Sequence, residues 1–484
     1  MSDLLSKNGQ MYHDTAMAFS GGYMKLKCFL WTMMTLLGIL TPCNFSGAKA
    51  VYEVPIEYYK LNNGLKVVFS PDHSAPIVTI AVYYKIGSRV EPRGRTGFAH
   101  LFEHMMFQGS THLPKGEFVR LIEGNGGYYN GLTRFDFTVY HEIMPAHMLE
   151  TVLWAEADRM QGLKITQAEL TNQQDVVANE IKLQVINQPY GQFFYWLEIP
   201  QYAYENWSNS HSFYGDLDDI ASATLEEVHR FYDTYYAPNN AALVMVGDFD
   251  SEEALAWVKK YFGHIPAKEV PALPDTSEPR QKKEKRINRT DKLANRPALA
   301  FAYHVPERFT PEYFAFGFLD QILLQGEDSR LFQALVKKKG MTGSLKGGIN
   351  VLGNMFNYND PTLWTVYLFH DSTVSADAIL KVVDEEIDKL CTTPIEQAEL
   401  EHMLVKFRSA FYERIGRTLG LSLAELLACF ALFDDEPDRI NSIMGNLKQV
   451  TPGLILKTAR EYLRITNRTI LIIEPEPKGQ VGGE

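Results

Sequence analysis

Residues 97–109 read GFAHLFEHMMFQG, with His100, Glu103 and His104 set among Phe98, Leu101, Phe102, Met105, Met106 and Phe107. On an α-helix, positions i and i+4 share a face, so His100 and His104 aim at one point. Neutral imidazole is a good zinc ligand at about 2.0–2.1 Å. Glu103, one residue before the second histidine, can reach a zinc-bound water without being a ligand. The order H-x-x-E-H is the inverse of the H-E-x-x-H metallopeptidase motif. The bland reading is a helix with two incidental histidines and a solvated glutamate. The apolar flanks count against it, because burying two imidazoles and a carboxylate unpaired is costly and a metal removes that cost.

A catalytic zinc needs a third protein ligand and one open position. Glu180 is the candidate, 76 positions after His104 in a long helical stretch, with Glu169 and Glu198 as alternatives. A lone helical glutamate is usually a solvated residue, so this assignment needs support beyond its neighbourhood.

Around the motif the chain alternates strands and helices. Leu65–Ser70 and Ile77–Ile86 are β-rich, Phe98–Gln108 and Phe118–Glu123 read as helices, and residues 134–143 alternate like a half-buried strand. Helices are expected over His147–Gly162 and Gln167–Gln188, and a buried strand over Ala241–Val246. The segment 267–295, rich in Pro, Lys, Arg and Glu, reads as an exposed linker between residues 51–266 and residues 296–475, with a Gly-rich flexible tail at 476–484. The second half echoes the first. Leu299–His304 resembles Ile77–Ile86, and Leu323-Leu324-Gln325-Gly326 matches Met106-Phe107-Gln108-Gly109 at an offset of 217 residues. A duplicated α/β domain follows. The same offset places Gly317, Asp320 and Gln321 where the first half has His100, Glu103 and His104, so the second half has no zinc site.

The 484 residues exceed one ordinary core, and the net charge of −12 excludes a basic nucleic-acid footprint over the whole chain. Met24, Lys25 and Lys27 open a basic patch before the apolar run Cys28–Leu40, and Ala48-Lys49-Ala50 closes it. That is the form of a cleaved secretory signal over 24–50, too short to span a bilayer comfortably. Residues 1–23 then read as a non-native extension, and the mature chain is expected to be periplasmic or secreted, without a stable membrane span. A single N-terminal anchor is the alternative. Cys391 and Cys429 alone remain after cleavage and read as buried thiols rather than a bridge.

Further stretches carry a resemblance. Asp175-Val176-Val177 with Glu180, Asn130-Gly131 with Asp136-Phe137-Thr138-Val139-Tyr140, Tyr236-Ala237-Pro238-Asn239-Asn240-Ala241, Val246-Gly247-Asp248 and Ser329-Arg330-Leu331-Phe332 join the H-x-x-E-H segment over nearly all of residues 55–470. In these the chain resembles the pitrilysin/insulinase family of inverted-motif zinc peptidases, which includes the mitochondrial processing peptidases, and within it a bacterial zinc-binding subunit similar to the β chain of those enzymes. The resemblance implies an α+β fold of two homologous α/β domains, of the pitrilysin/LuxS-like metallohydrolase type, each a mainly antiparallel sheet covered by helices. It implies a zinc-dependent endopeptidase that hydrolyses peptides or unfolded polypeptides through a zinc-activated water. One Zn2+ per chain would be held by His100, His104 and Glu180, with Glu103 as the catalytic base. It also implies substrate added as a strand to a sheet edge, with Asn130 near the bound peptide. Asn-Gly equally suits a hairpin turn.

Two positions depart from the family pattern. Gln173 stands where the family often has a glutamate, seven residues before Glu180, and Val336 and Gly343 stand where the second domain carries a substrate-binding Arg/Tyr pair. A homologous partner subunit supplying that pair is therefore expected. The alternatives are a non-catalytic assembly or binding subunit on the same fold and a non-proteolytic zinc hydrolase.

Overall fold

The computed structural model describes residues 52–477, save residue 192. The expected extension (1–23), the signal segment (24–50) and most of the tail (478–484) lie outside the described residues. The first half contributes β1 (Glu57–Lys60), β2 (Lys66–Pro71), β3 (Ile77–Tyr84), β4 (Tyr128–Thr133), β5 (Thr138–Pro145) and β6 (Ala241–Gly247). The second contributes β7 (Lys285–Asp291), β8 (Ala298–His304), β9 (Thr342–Ile349), β10 (Leu363–His370) and β11 (Arg468–Pro475). The sheets run β1-β2-β6-β3-β5-β4 and β7-β11-β8-β10-β9. In each, one parallel pair (β2/β6, β7/β11) is followed by three antiparallel pairs, so β2-β6-β3-β5-β4 and β7-β11-β8-β10-β9 share both order and direction. The repeat that is faint in sequence is plain in topology, and the α+β duplication holds.

Both sheets are covered on both faces, which explains their near-continuous apolar strands. Along β6, Ala241, Leu243 and Met245 face the helices of their own half, while Ala242, Val244 and Val246 join the core of the other half. That second face of the first sheet is covered by the helix Leu421–Asp434, with Leu423, Ala424, Leu427 and Ala431 buried in the same core. Being enclosed, this helix is apolar all round. The exchange is reciprocal: Tyr190, Phe194, Ile199, Ala203 and Tyr204 of the first half cover Ala298, Ala300, Ala302, Leu471 and Ile473 of the second sheet. Each fully buried Leu, Ile or Phe contributes roughly 1.5–3 kcal/mol.

Two expectations change. Lys285–Asp291 lies within the expected linker but forms β7, an edge strand paired to β11. Its polar alternation hides the strand, since charged side chains guard an exposed sheet edge. The strand expected over 134–143 divides instead: β4 ends at Thr133, residues 134–137 turn, and β5 begins at Thr138. Asn130-Gly131 therefore sits within β4 rather than in a turn. Cys391 and Cys429 are free thiols. Among the described residues no single helix is long and apolar enough to cross a membrane.

Candidate metal centre

Helix α1 (Phe98–Met105) carries the motif. No side chain at Gly97 caps it; the buried Glu91 carboxylate does so from outside, accepting from the Gly97 and Ala99 backbone N–H groups at 2.9 and 2.8 Å. A carboxylate there also favours the helix dipole. Gly97, at φ 81°, meets Gly215 of a later loop: a Cβ built on Gly215 would lie 2.3 Å from the Gly97 Cα. Only glycine on both sides lets the two backbones come so close.

The third donor comes from α2 (Gln167–Ile181), which begins at a capping box between Thr166 and Glu169. Glu180, one residue from its end, lies beside both histidines. His100 Nε2 is 3.6 Å from Glu180 Oε1, and His104 Nε2 is 3.3 Å from Oε2. The three donor atoms lie within 4.8 Å of one another. Ligands at about 2.0–2.1 Å from a tetrahedral zinc stand roughly 3.4 Å apart, so the spacing fits such an ion. The alternatives for Glu180 are otherwise engaged, Glu169 in the capping box and Glu198 with Arg289 at 2.8 Å. His100 is 3% exposed, whereas the His104 and Glu180 side chains are partly open to solvent.

Burial pushes the His100 pKa down, but the neighbouring Glu180 carboxylate and the charge of Glu103 outweigh it, and the net shift is upward. The neighbouring imidazoles of His100 and His104 hold the Glu180 carboxyl well below the usual range. A carboxylate poised between two imidazoles is the charge pattern that a dication replaces and strengthens.

Glu103 lies against β4. Its Oε2 accepts from Thr133 Oγ1 at 2.8 Å, and a Cβ on Gly131 would come 3.0 Å from its Cγ. Gly131 and Thr133 share one face of β4. Asn130 falls on the other, exposed, opposite His141 in the register, with its Oδ1 accepting from the Gly131 N–H. Asn130 is therefore outside the metal cluster, although it lies on the edge strand beside it. Tyr214 completes the rim: its ring packs against His100 at 5.2 Å between centroids. Burial first, then the charges of Glu180 and Glu103, raise its phenol to about 12.

Glu91, Thr133 and Tyr214 escaped the sequence reading. Thr133 was within reach, being two residues from Gly131 on one strand face, had β4 been placed correctly. Tyr214 carries no local signal.

In the second half, the helix Pro311–Leu323 occupies the place of α1. Its Asp320 is buried and accepts at Oδ1 from Trp364 Nε1 (2.7 Å) and Gln325 Nε2 (3.1 Å). Among the described residues His100, His104 and Glu180 form the only grouping of His, Cys, Asp or Glu able to hold a metal ion.

Fold and site together define a duplicated α+β chain with one inverted-motif cluster able to hold a metal ion. The family description "Insulinase (Peptidase family M16)" matches residues 66–193, and "Peptidase M16 inactive domain" matches residues 222–404. The chain is 26% identical over 429 residues to the zinc protease PqqE of Helicobacter pylori, covering 87% of this chain and 93% of that protein. It is 26% identical over 359 residues to the bovine mitochondrial-processing peptidase subunit beta, covering 72% and 71%. Among solved structures, a protease from Helicobacter pylori matches at TM-score 0.79 and 26% identity, over 88% of this chain and all of that one. The first half of the periplasmic protease PqqL of Escherichia coli matches at TM-score 0.70 and 19% identity, over 88% and 93%, a likeness of fold. The chain belongs to the pitrilysin/insulinase family, peptidase family M16.

Proposed function

We propose that the chain is a zinc-dependent endopeptidase acting on peptides or unfolded polypeptides in the periplasm, where PqqL of Escherichia coli acts. One observation carries the reading: two imidazoles one helical turn apart and a distant carboxylate converge, with Glu103 beside them. His100, His104 and Glu180 hold the ion. Zinc, when bound, supplies Lewis acidity that acidifies water and polarises a carbonyl. Glu103 takes the proton from the attacking water and passes it to the leaving amine nitrogen. The free edge of β4 pairs with an extended peptide near Asn130. The first half is then the zinc-binding domain. Val336 and Gly343 stand in place of the Arg/Tyr pair, and a homologous partner subunit supplies the substrate-binding arginine that the second half lacks.

The test is zinc content of the native protein, followed by cleavage of unstructured peptides by the parent and by Glu103→Gln. The variant is expected to keep about one zinc and to lose about 10²–10⁴-fold in rate. Protein without zinc, or a variant cleaving at the parental rate, overturns the assignment.

A further inference from the structure

Peptide hydrolysis needs a donor for the oxygen on which charge develops. The second half supplies no tyrosine for it, since Gly343 occupies that position. The first half contains an unused phenol. Tyr214 is 9% exposed, and its hydroxyl makes no hydrogen bond to any described residue. The hydroxyl oxygen is not enclosed, so it meets solvent beside the site and is open to a ligand there.

Its placement is firm. The turn Tyr214–Gly215 is seated on the first residue before α1 by the contact of Gly97 with Gly215. Two further ties hold it, with Asp216 N–H donating to Thr96 Oγ1 at 2.9 Å and Thr96 Oγ1 donating to Asp219 at 2.7 Å. Phe213 and Trp196 back the ring, at 4.5 and 6.2 Å between centroids. The ring meets His100 nearly edge-on, at 81°. Its hydroxyl lies within electrostatic reach of Glu180, Glu103 and Arg134. A donor is thus held at the metal helix, on the side of the metal ligands, with its own hydrogen free.

We infer that Tyr214 is a catalytic residue whose hydroxyl donates a hydrogen bond to the scissile carbonyl oxygen as that oxygen gains negative charge. The chain then carries its own phenol donor, and a partner subunit is not needed for that function. The inference rests on the peptidase reading above.

The experiment uses the zinc-loaded full chain without partner, as parent and as Tyr214→Phe, which keeps the ring and removes only the hydroxyl. Zinc stoichiometry is measured first. Calorimetry then gives the affinity for a peptidyl phosphinate, a stable tetrahedral mimic of the attacked carbonyl. The affinity for an ordinary substrate peptide is measured with Glu103→Gln added to each chain. Tyr214→Phe is expected to keep its zinc, bind the substrate peptide as the parent does, and lose about 100-fold in phosphinate affinity. Its kcat falls by a similar factor at unchanged KM. Equal phosphinate affinity in parent and variant overturns the inference and leaves the peptidase reading standing. So does failure of the zinc-loaded parent to bind phosphinate, or loss of zinc from Tyr214→Phe, which makes the residue structural. A parent without zinc defeats the peptidase reading itself, and this inference with it.

Discussion

Thr133 Oγ1 donates to Glu103 Oε2 at 2.8 Å, joining the edge strand β4 to the helix that carries both histidines. The contact occupies one carboxylate oxygen and leaves the other for proton transfer. A hydrogen bond to a charged group is worth about 1.5–3 kcal/mol. Thr133→Val keeps the shape and removes the donor. It is expected to lower kcat roughly 10- to 100-fold, with KM and zinc content unchanged, while Thr133→Ser recovers most of the rate. Steady-state kinetics with metal analysis checks this, and parental kcat in the valine variant refutes it.

A second relation is structural. Arg159, Glu142 and Glu156 are buried together, with Arg159 Nη2 3.2 Å from Glu142 Oε1 and also bonded to Glu156. The guanidinium lies 3.9 Å from the centroid of the Phe118 ring. Burial, then the neighbouring Glu156 charge, pushes the Glu142 carboxyl well up. Removing one partner of a buried ion pair strands the other, at a cost of about 3–5 kcal/mol. Arg159→Met should lose that much in urea unfolding, and adding Glu142→Gln and Glu156→Gln should return most of it. If the single variant unfolds at the parental midpoint, the network carries no such energy.

The legible part of the molecule was the part with a short-range signature. The i, i+4 histidines with Glu103 gave the motif by spacing alone, and β6 was visible as an apolar run because both of its faces are covered. Glu180 has no local signal, because its meeting with His100 depends on how α2 packs on α1; the family resemblance supplies it. β7 is hidden in the sequence because an edge strand bearing Lys285, Arg286 and Arg289 has the composition of a solvated connector. Tyr214 reaches the site through two glycines 118 residues apart, Gly97 and Gly215, a contact that no sequence window contains.

Asp320 yields a pH prediction. Burial raises its carboxyl to about 6, against hydrogen bonds from Trp364 and Gln325 that pull it down. The folded state therefore holds this proton more tightly than the unfolded chain. The ionised form costs stability, so stability contributed by the protonated group is present below about pH 4 and is lost as pH rises toward 6. Asp320→Asn keeps the acceptor for Trp364 Nε1 without the charge. Its unfolding free energy should exceed the parent's by up to about 3 kcal/mol at pH 7–8, and the advantage should vanish near pH 4. A variant no more stable than the parent at pH 8 would contradict the assignment.

Metal removal distinguishes a catalytic ion from a structural one. Each ligand-bearing element is anchored without a metal. Glu91 caps α1, β4 packs on Glu103, and Gln174 of α2 donates to the carbonyls of Ile220, Ala221 and Ala223 at 2.9–3.2 Å. Even without an ion, Glu180 stays drawn to the two imidazoles. A chelator should therefore abolish cleavage and leave the far-ultraviolet circular dichroism unchanged, with activity returning on addition of zinc. The unfolding free energy should drop only by the linkage term, about 2.7 kcal/mol when free zinc had stood at 100 times its Kd. Cooperative loss of helix on chelation would mean that the ion holds α1 and α2 together, and the anchoring contacts named here would then be too weak for the role given to them.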